Sequence, residues 1–145
     1  MSVEAGQFVD TNVLVYAYDS AAGAKHIQAK TLMGALWDSK AGCLSVQVLQ
    51  EFYVNVTQKI VHPLDVALAI QIIDDLASWK VYVPTARDVV GAIGIQQQYQ
   101  LLFWDAMIVW GASRLGCEVL WSEDLNPGQI YEGVLLKNPF LHAPI

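Results

Sequence analysis

The sequence predicts an α/β domain with a mostly parallel central sheet covered on both faces. Two observations carry that reading. Short apolar runs, among them "CLSV", "KVYVP" and "CEVLWS", are separated by longer segments whose apolar residues recur at helical spacing. The 145 residues, 54% of them apolar, are also enough to build one domain, residues 1–145, around a substantial core.

Each element follows in order. After the apolar run that ends at Val9, "AGAKHIQAKTLMGALWDSK" sets Ile27, Leu32, Ala35 and Leu36 among lysines and glutamines and predicts an amphipathic helix. "CLSV" is a short buried strand. "VQVLQEFYVNVTQKI" is rich in β-branched residues, but its length and its Val48, Phe52, Asn55, Val56 spacing predict a helix that carries Glu51. Pro63 suits the first turn of the next helix, "PLDVALAIQIIDDLASW", in which Val66, Ala69, Ile70, Ile73, Leu76 and Ala77 form a stripe. "KVYVP" is a strand ended by Pro84. Thr85 and Asp88 in "TARD" make a capping box that starts a helix running to about residue 98. "FWDAMIVWGASRLG" is a further helix with Gly116 as its stop, "CEVLWS" is a strand entering the turn-rich "EDLNPGQ", and "GVLLKNPF" is the last strand.

Composition narrows the function. Only 15% of the residues are charged, against roughly 25% in an average soluble domain, so much of the surface is uncharged or covered, and an exposed apolar face favours self-association. The net charge of −6 argues against a broad basic face that grips nucleic acid. Either nucleic acid is irrelevant, or metal ions supply the positive charge. "MSVEAGQFVD" lacks the basic and apolar regions of a secretory signal, and "LLFWDAMIVWGASRLG", broken by Asp105 and Arg114, is shorter than the roughly 20 residues of a bilayer crossing. A cytoplasmic protein is the expectation. Cys43 and Cys117 belong to no CxxC or Cys/His cluster and read as reduced, buried small hydrophobes.

Four acidic residues interrupt apolar contexts: Asp10 in "FVDTN", Glu51 in "VLQEFYV", Asp105 in "FWDAM" and Asp124 in "WSEDLN". Asp10 and Asp124 fall at or just past the C-terminal ends of strands, where open α/β sheets place their ligand sites. Were the four to converge without counterions, repulsion and desolvation would force some to take up protons. A hard divalent cation, Mg²⁺ or Mn²⁺, removes that conflict, keeps several waters and accepts phosphate oxygens, and such a cation can activate water for in-line attack on phosphorus. Each acid also has a plain structural reading. Asp10, with Thr11 and Asn12, could cap a strand-to-helix turn, and Asp105 could be an N-cap. Glu51 could face solvent, and Asp124 could be a turn residue beside Asn126, Pro127 and Gly128.

Taken as an ordered set, "FVDTNVLVYAYD", "LSVQVLQEFYVNVT", "FWDAMIVWGA" and "SEDLNPGQIYEGVLLKNPF" resemble the PIN-domain ribonucleases, and among them the VapC-type toxins of toxin-antitoxin modules. The resemblance spans the chain nearly end to end and implies a three-layer α/β/α sandwich. It implies that Asp10, Glu51, Asp105 and Asp124 form an acidic Mg²⁺ site supported by Thr11, Asn12 and Ser122, and that Ser45 caps the helix of Glu51. It further implies hydrolysis of RNA, tRNA or rRNA among the candidates, to 5′-phosphate and 3′-hydroxyl products, a homodimer, and a VapB-type antitoxin partner whose tail covers the acids. Trp110 and Gly111 depart from the small residues usual after "WDA", and Glu123 adjoins Asp124 and could compete with it as a ligand, although the motif puts Asp124 first.

Other readings stay open. A nuclease for DNA could use the same acids, and a catalytically silent binding module could use the same fold. A phosphotransferase of the haloacid dehalogenase type wants a second Asp two residues after the first, where this chain has Asn12. Lys25, Lys30, Lys59, Arg87 and Arg114 either guide a nucleic acid or lie on solvated helix faces, and Trp37 and Trp79 read as core residues.

Overall fold

A computed structural model describes residues 5–141; residues 1–4, the start of the "MSVEAGQFVD" segment, and 142–145 lie outside them. Strand β1 (Gln7–Val9) leads into helix α1 (Thr11–Tyr16), a 3-10 turn (Ser20–Ala22) and α2 (Ala24–Ser39). Next come β2 (Gly42–Ser45), α3 (Val46–Gln58), α4 (Val66–Leu76), β3 (Lys80–Tyr82), α5 (Ala86–Tyr99) and α6 (Phe103–Arg114). Strands β4 (Val119–Trp121), β5 (Ile130–Tyr131) and β6 (Val134–Lys137) complete the sheet. Its order is β3-β2-β1-β4-β6-β5, and every pairing is parallel except β5 with β6. Helices α2 and α3 pack on β2 from one side with α1 and α4 beside them, while α6, backed by α5, packs across β2, β3, β4 and β6. This is the expected three-layer α/β/α arrangement.

The strands are short and apolar because both faces are covered: Phe8, Val9, Leu44, Leu120 and Leu136 are all buried. On the inner side of α3, Val48, Phe52 and Val56 are buried as their spacing predicts. Two other stripes are corrected. In α2 the core face is Ala29, Met33 and Leu36, with Ile27 and Ala35 exposed. In α4 it is Ala69, Ile72 and Leu76, with Val66, Ile70 and Ala77 outside, because an almost wholly apolar helix leaves its orientation to its neighbours. That helix also starts later than Pro63 suggests: Asp65 is its N-cap and accepts the Leu68 N–H at 2.8 Å.

At the start of α5 the Asp88 carboxylate accepts the Thr85 N–H at 2.6 Å, so the capping box stands. The two cysteines are distant in sequence but neighbours in space. Both are buried and free, and a Cβ placed on Gly6 would stand 3.0 Å from one sulfur and 3.3 Å from the other, so glycine is what lets them approach. Trp79 is half-buried and Trp37 is exposed, the two rings meeting edge to face at 5.2 Å, so only the first has a core-like setting. Among the described residues no helix is long and apolar enough to cross a membrane.

Candidate active site

Between β1 and β4 the connections leave the sheet in opposite directions: the β1–β2–β3 half lies to one side and β4–β6–β5 to the other. A crevice opens at such a switch point, beyond the carboxyl ends of the strands. Here it is a cleft of about 310 Å³ whose walls include Asp10, Glu51, Asp105 and Asp124. Residues 114 positions apart in sequence thus share one site. Thr11 and Asn12 also line it, while Ser122 lies beneath, fully buried.

The parallel register places Asp10 immediately after β1 and Ser122 immediately after β4, since Val9 pairs with Trp121. Asp10 is 5% exposed, and its two oxygens are held separately: one accepts the Thr11 N–H at 2.7 Å and the other the Ser122 hydroxyl at 2.8 Å. The capping reading of Asp10 is therefore correct as geometry, and it coexists with a place in the cleft. Asp105 is different. The N-cap of α6 is Leu102, so Asp105 sits inside the first turn, half-buried, with no capping duty. Glu51 turns into the cleft rather than to solvent, and its carboxylate accepts the Thr11 hydroxyl at 2.7 Å. Asp124, at the exposed rim, accepts from the Asn12 amide at 2.7 Å, while its own N–H donates to Ser122.

Electrostatics mark the cluster as unbalanced. Burial raises the Asp10 carboxyl from 3.8 to about 7 despite its two hydrogen bonds, and the charges of Asp124 and Asp105 push it further the same way. Asp105 is raised too, by burial first and then by Asp124 and Glu51. Among the described residues no Lys, Arg or His lines the cleft. One further atom is unsatisfied: the Asn12 carbonyl oxygen is buried with no hydrogen-bond partner among the described residues. An all-oxygen set with excess negative charge and a spare acceptor fits a hydrated hard cation. Among the described residues no three His, Cys, Asp or Glu side chains are already drawn around a common metal position. A cation that keeps its waters and takes phosphate oxygens needs only one or two carboxylates directly.

Glu123 is occupied elsewhere. It accepts the Tyr16 hydroxyl at 2.7 Å and the Lys25 ammonium at 2.8 Å, and Lys25 also lies over the rings of Tyr16 and Phe140. That separates Glu123 from the cleft and leaves Asp124 in it. Lys25 is committed to that pair, and none of Lys30, Lys59, Arg87 or Arg114 lines the cleft. Among the lining residues that sequence reasoning missed are Gln47, Asn55 and Trp104. The first two had a signal, because they stand four residues either side of Glu51 on one helix face. Asn55 donates to the Glu51 carbonyl at 2.8 Å.

Trp110 does not line the cleft. Its indole N–H donates to Asp88 at 2.9 Å and to the Tyr82 hydroxyl at 3.2 Å, and its ring lies against Gly91 of α5.

Comparison with known proteins fits this layout. No curated protein matches the chain. Among solved structures, a sarcin-ricin loop cleaving VapC toxin from Mycobacterium tuberculosis superposes with a TM-score of 0.60 at 21% identity, covering 79% of this chain and 87% of that one. A toxin-antitoxin complex from Klebsiella pneumoniae gives 0.64 at 18% identity, covering 92% and 98%. DNA-bound VapBC from Salmonella typhimurium gives 0.64 at 13% identity, covering 94% and 99%. The PIN domain family matches residues 8–132, a stretch that takes in all four carboxylates, and the chain belongs to that family.

Proposed function

We propose that this protein is a divalent-metal-dependent endoribonuclease, the VapC-type toxin of a toxin-antitoxin pair. The observation that carries the reading is the convergence of Asp10, Glu51, Asp105 and Asp124 on one cleft, with burial and mutual charge raising the carboxyls of Asp10 and Asp105 above their usual range. When bound, Mg²⁺, or Mn²⁺ in its place, supplies Lewis acidity at phosphorus and makes water acidic enough to act as a nucleophile. The four carboxylates would hold the ion, one or two of them directly and the others through its waters. Ser122 and the Thr11 N–H fix the two oxygens of Asp10, the Thr11 hydroxyl fixes Glu51, and Asn12 fixes Asp124, so three of the four acids are oriented before substrate arrives. The spare Asn12 carbonyl oxygen can accept from a water in the cleft. Hydrolysis then leaves 5′-phosphate and 3′-hydroxyl ends.

The test is cleavage of an end-labelled tRNA and rRNA pool by the purified protein with Mg²⁺, with EDTA, and as Asp105→Asn. Cutting by the wild type that vanishes in both controls is expected. Equal cutting by Asp105→Asn would reject the carboxylate mechanism. A VapB-type antitoxin partner is part of the proposal, supported by the toxin-antitoxin complexes among the structural relatives. So is a homodimer, supported by the apolar residues that α4 and α5 leave exposed, Val66, Leu68, Ile70, Val90 and Ile93 among them. Sedimentation at micromolar concentration should give a dimer, and a clean monomer would remove that part.

A further inference from the structure

We propose that Trp104 is a nucleobase platform, on which an unpaired base flanking the scissile phosphate stacks; this rests on the ribonuclease reading and names the form of RNA the site takes. The indole lines the cleft beside Asp105 yet is 63% exposed. Little in the fold accounts for so large an apolar ring there. Its setting is nevertheless rigid. It occupies the first turn of α6, Phe103 braces it edge to face at 5.1 Å and packs on the core, and the Gln47 side chain of α3 donates to its carbonyl oxygen at 3.3 Å. A flat apolar surface at the lip of an acidic floor is complementary to a nucleotide: the phosphate meets the cation held by the acids, and the base meets the ring. A peptide side chain could cover the indole but would leave the phosphate-handling floor unused. Stacking is tolerant of base identity, so Trp104 contributes affinity with little sequence preference. It also requires the base to be free of its duplex partner, which directs the enzyme to loops, bulges or splayed ends.

The experiment uses RNA oligonucleotides spanning a mapped cleavage position, one natural and one with an abasic residue next to the scissile phosphate. Each is cut by the wild-type protein, Trp104→Ala and Trp104→Phe, with kcat/KM as the readout. Stacking of this kind predicts a loss of about 10- to 100-fold for wild type on the abasic RNA and the same loss for Trp104→Ala on natural RNA. Trp104→Ala then loses nothing further on the abasic substrate, and Trp104→Phe keeps most of the natural rate. Losses that multiply, or a Trp104→Ala protein that cuts both substrates like wild type, would overturn the platform while leaving the nuclease intact. Unchanged cleavage combined with lost binding of an antitoxin-type polypeptide would overturn it in favour of a protein contact. A wild-type protein that cuts no RNA with Mg²⁺ or Mn²⁺ rejects the ribonuclease reading, and the platform with it.

Discussion

Asp10→Asn should make the metal-free protein more stable at pH 8 while abolishing the proposed cleavage of RNA. In the native state the Asp10 carboxyl titrates at about 7 rather than 3.8, because burial and the charges of Asp124 and Asp105 disfavour ionisation. Between those two values the native chain holds a proton that the unfolded chain has released. Stability therefore falls as pH rises from about 4 to about 7 and stays low above, by on the order of 2–4 kcal/mol. Asparagine cannot ionise, yet it can still accept from the Thr11 N–H and donate toward the Ser122 oxygen, so the variant escapes the loss. Thermal melts in EDTA at pH 4 and pH 8 check it: the two proteins should converge at pH 4, and the variant should melt several degrees higher at pH 8. Added Mn²⁺ should raise the wild-type midpoint by mass action and leave the variant where it was. A wild type that is the more stable at pH 8 without metal, or an equal Mn²⁺ response in both, would show that Asp10 is no strained metal ligand.

Gly91→Ala is the second large effect, this time on the fold. A Cβ there would stand 2.3 Å from the Trp110 ring. The ring cannot step aside freely, since its indole N–H is tied to Asp88 and Tyr82 and Arg114 lies over its face. Overpacking of this kind should cost about 1–3 kcal/mol even after the roughly 1 kcal/mol that alanine gains over glycine in a helix. Chemical denaturation of the four members of a cycle with Trp110→Ala tests the cause. In the Trp110→Ala background the same Gly91→Ala change should be neutral or stabilising. An identical loss in both backgrounds would mean that something other than the indole resists the methyl group.

The elements that could be read from the sequence are those with a strong local signal. Helix α3 was legible through Val48, Phe52 and Val56, and α5 through the Thr85–Asp88 box. Helix α1 was not, because six residues rich in β-branched types carry no helical preference; Asp10 at its head and the burial of Val13 and Leu14 hold it. The β5–β6 hairpin was also missed. Its turn, Glu132-Gly133, has positive φ at both positions, 49° and 81°, the hairpin geometry that Asn-Gly usually announces, and glutamate hides it. In the site, the four acids were visible because each breaks an apolar run. Their supporting contacts were not, since Thr11 reaches a residue 40 positions away and Asn12 one 112 positions away. The preference for Asp124 over Glu123 rested on the motif alone; what engages Glu123 elsewhere, Tyr16 and Lys25, is brought to it only in the folded chain.

The position of β1 in mid-sheet has a consequence for timing. Its outer neighbour β2 follows it closely in the chain, but β4, which closes its other side and supplies the Trp121 carbonyl to the Asp10 N–H at 2.9 Å, is separated from it by more than a hundred residues. A chain emerging from the ribosome N-terminus first therefore displays Asp10, Glu51 and Asp105 before Ser122 and Asp124 exist to complete the cluster. Until β4 and the turn after it are made, the cluster on which the proposed hydrolysis depends stays incomplete.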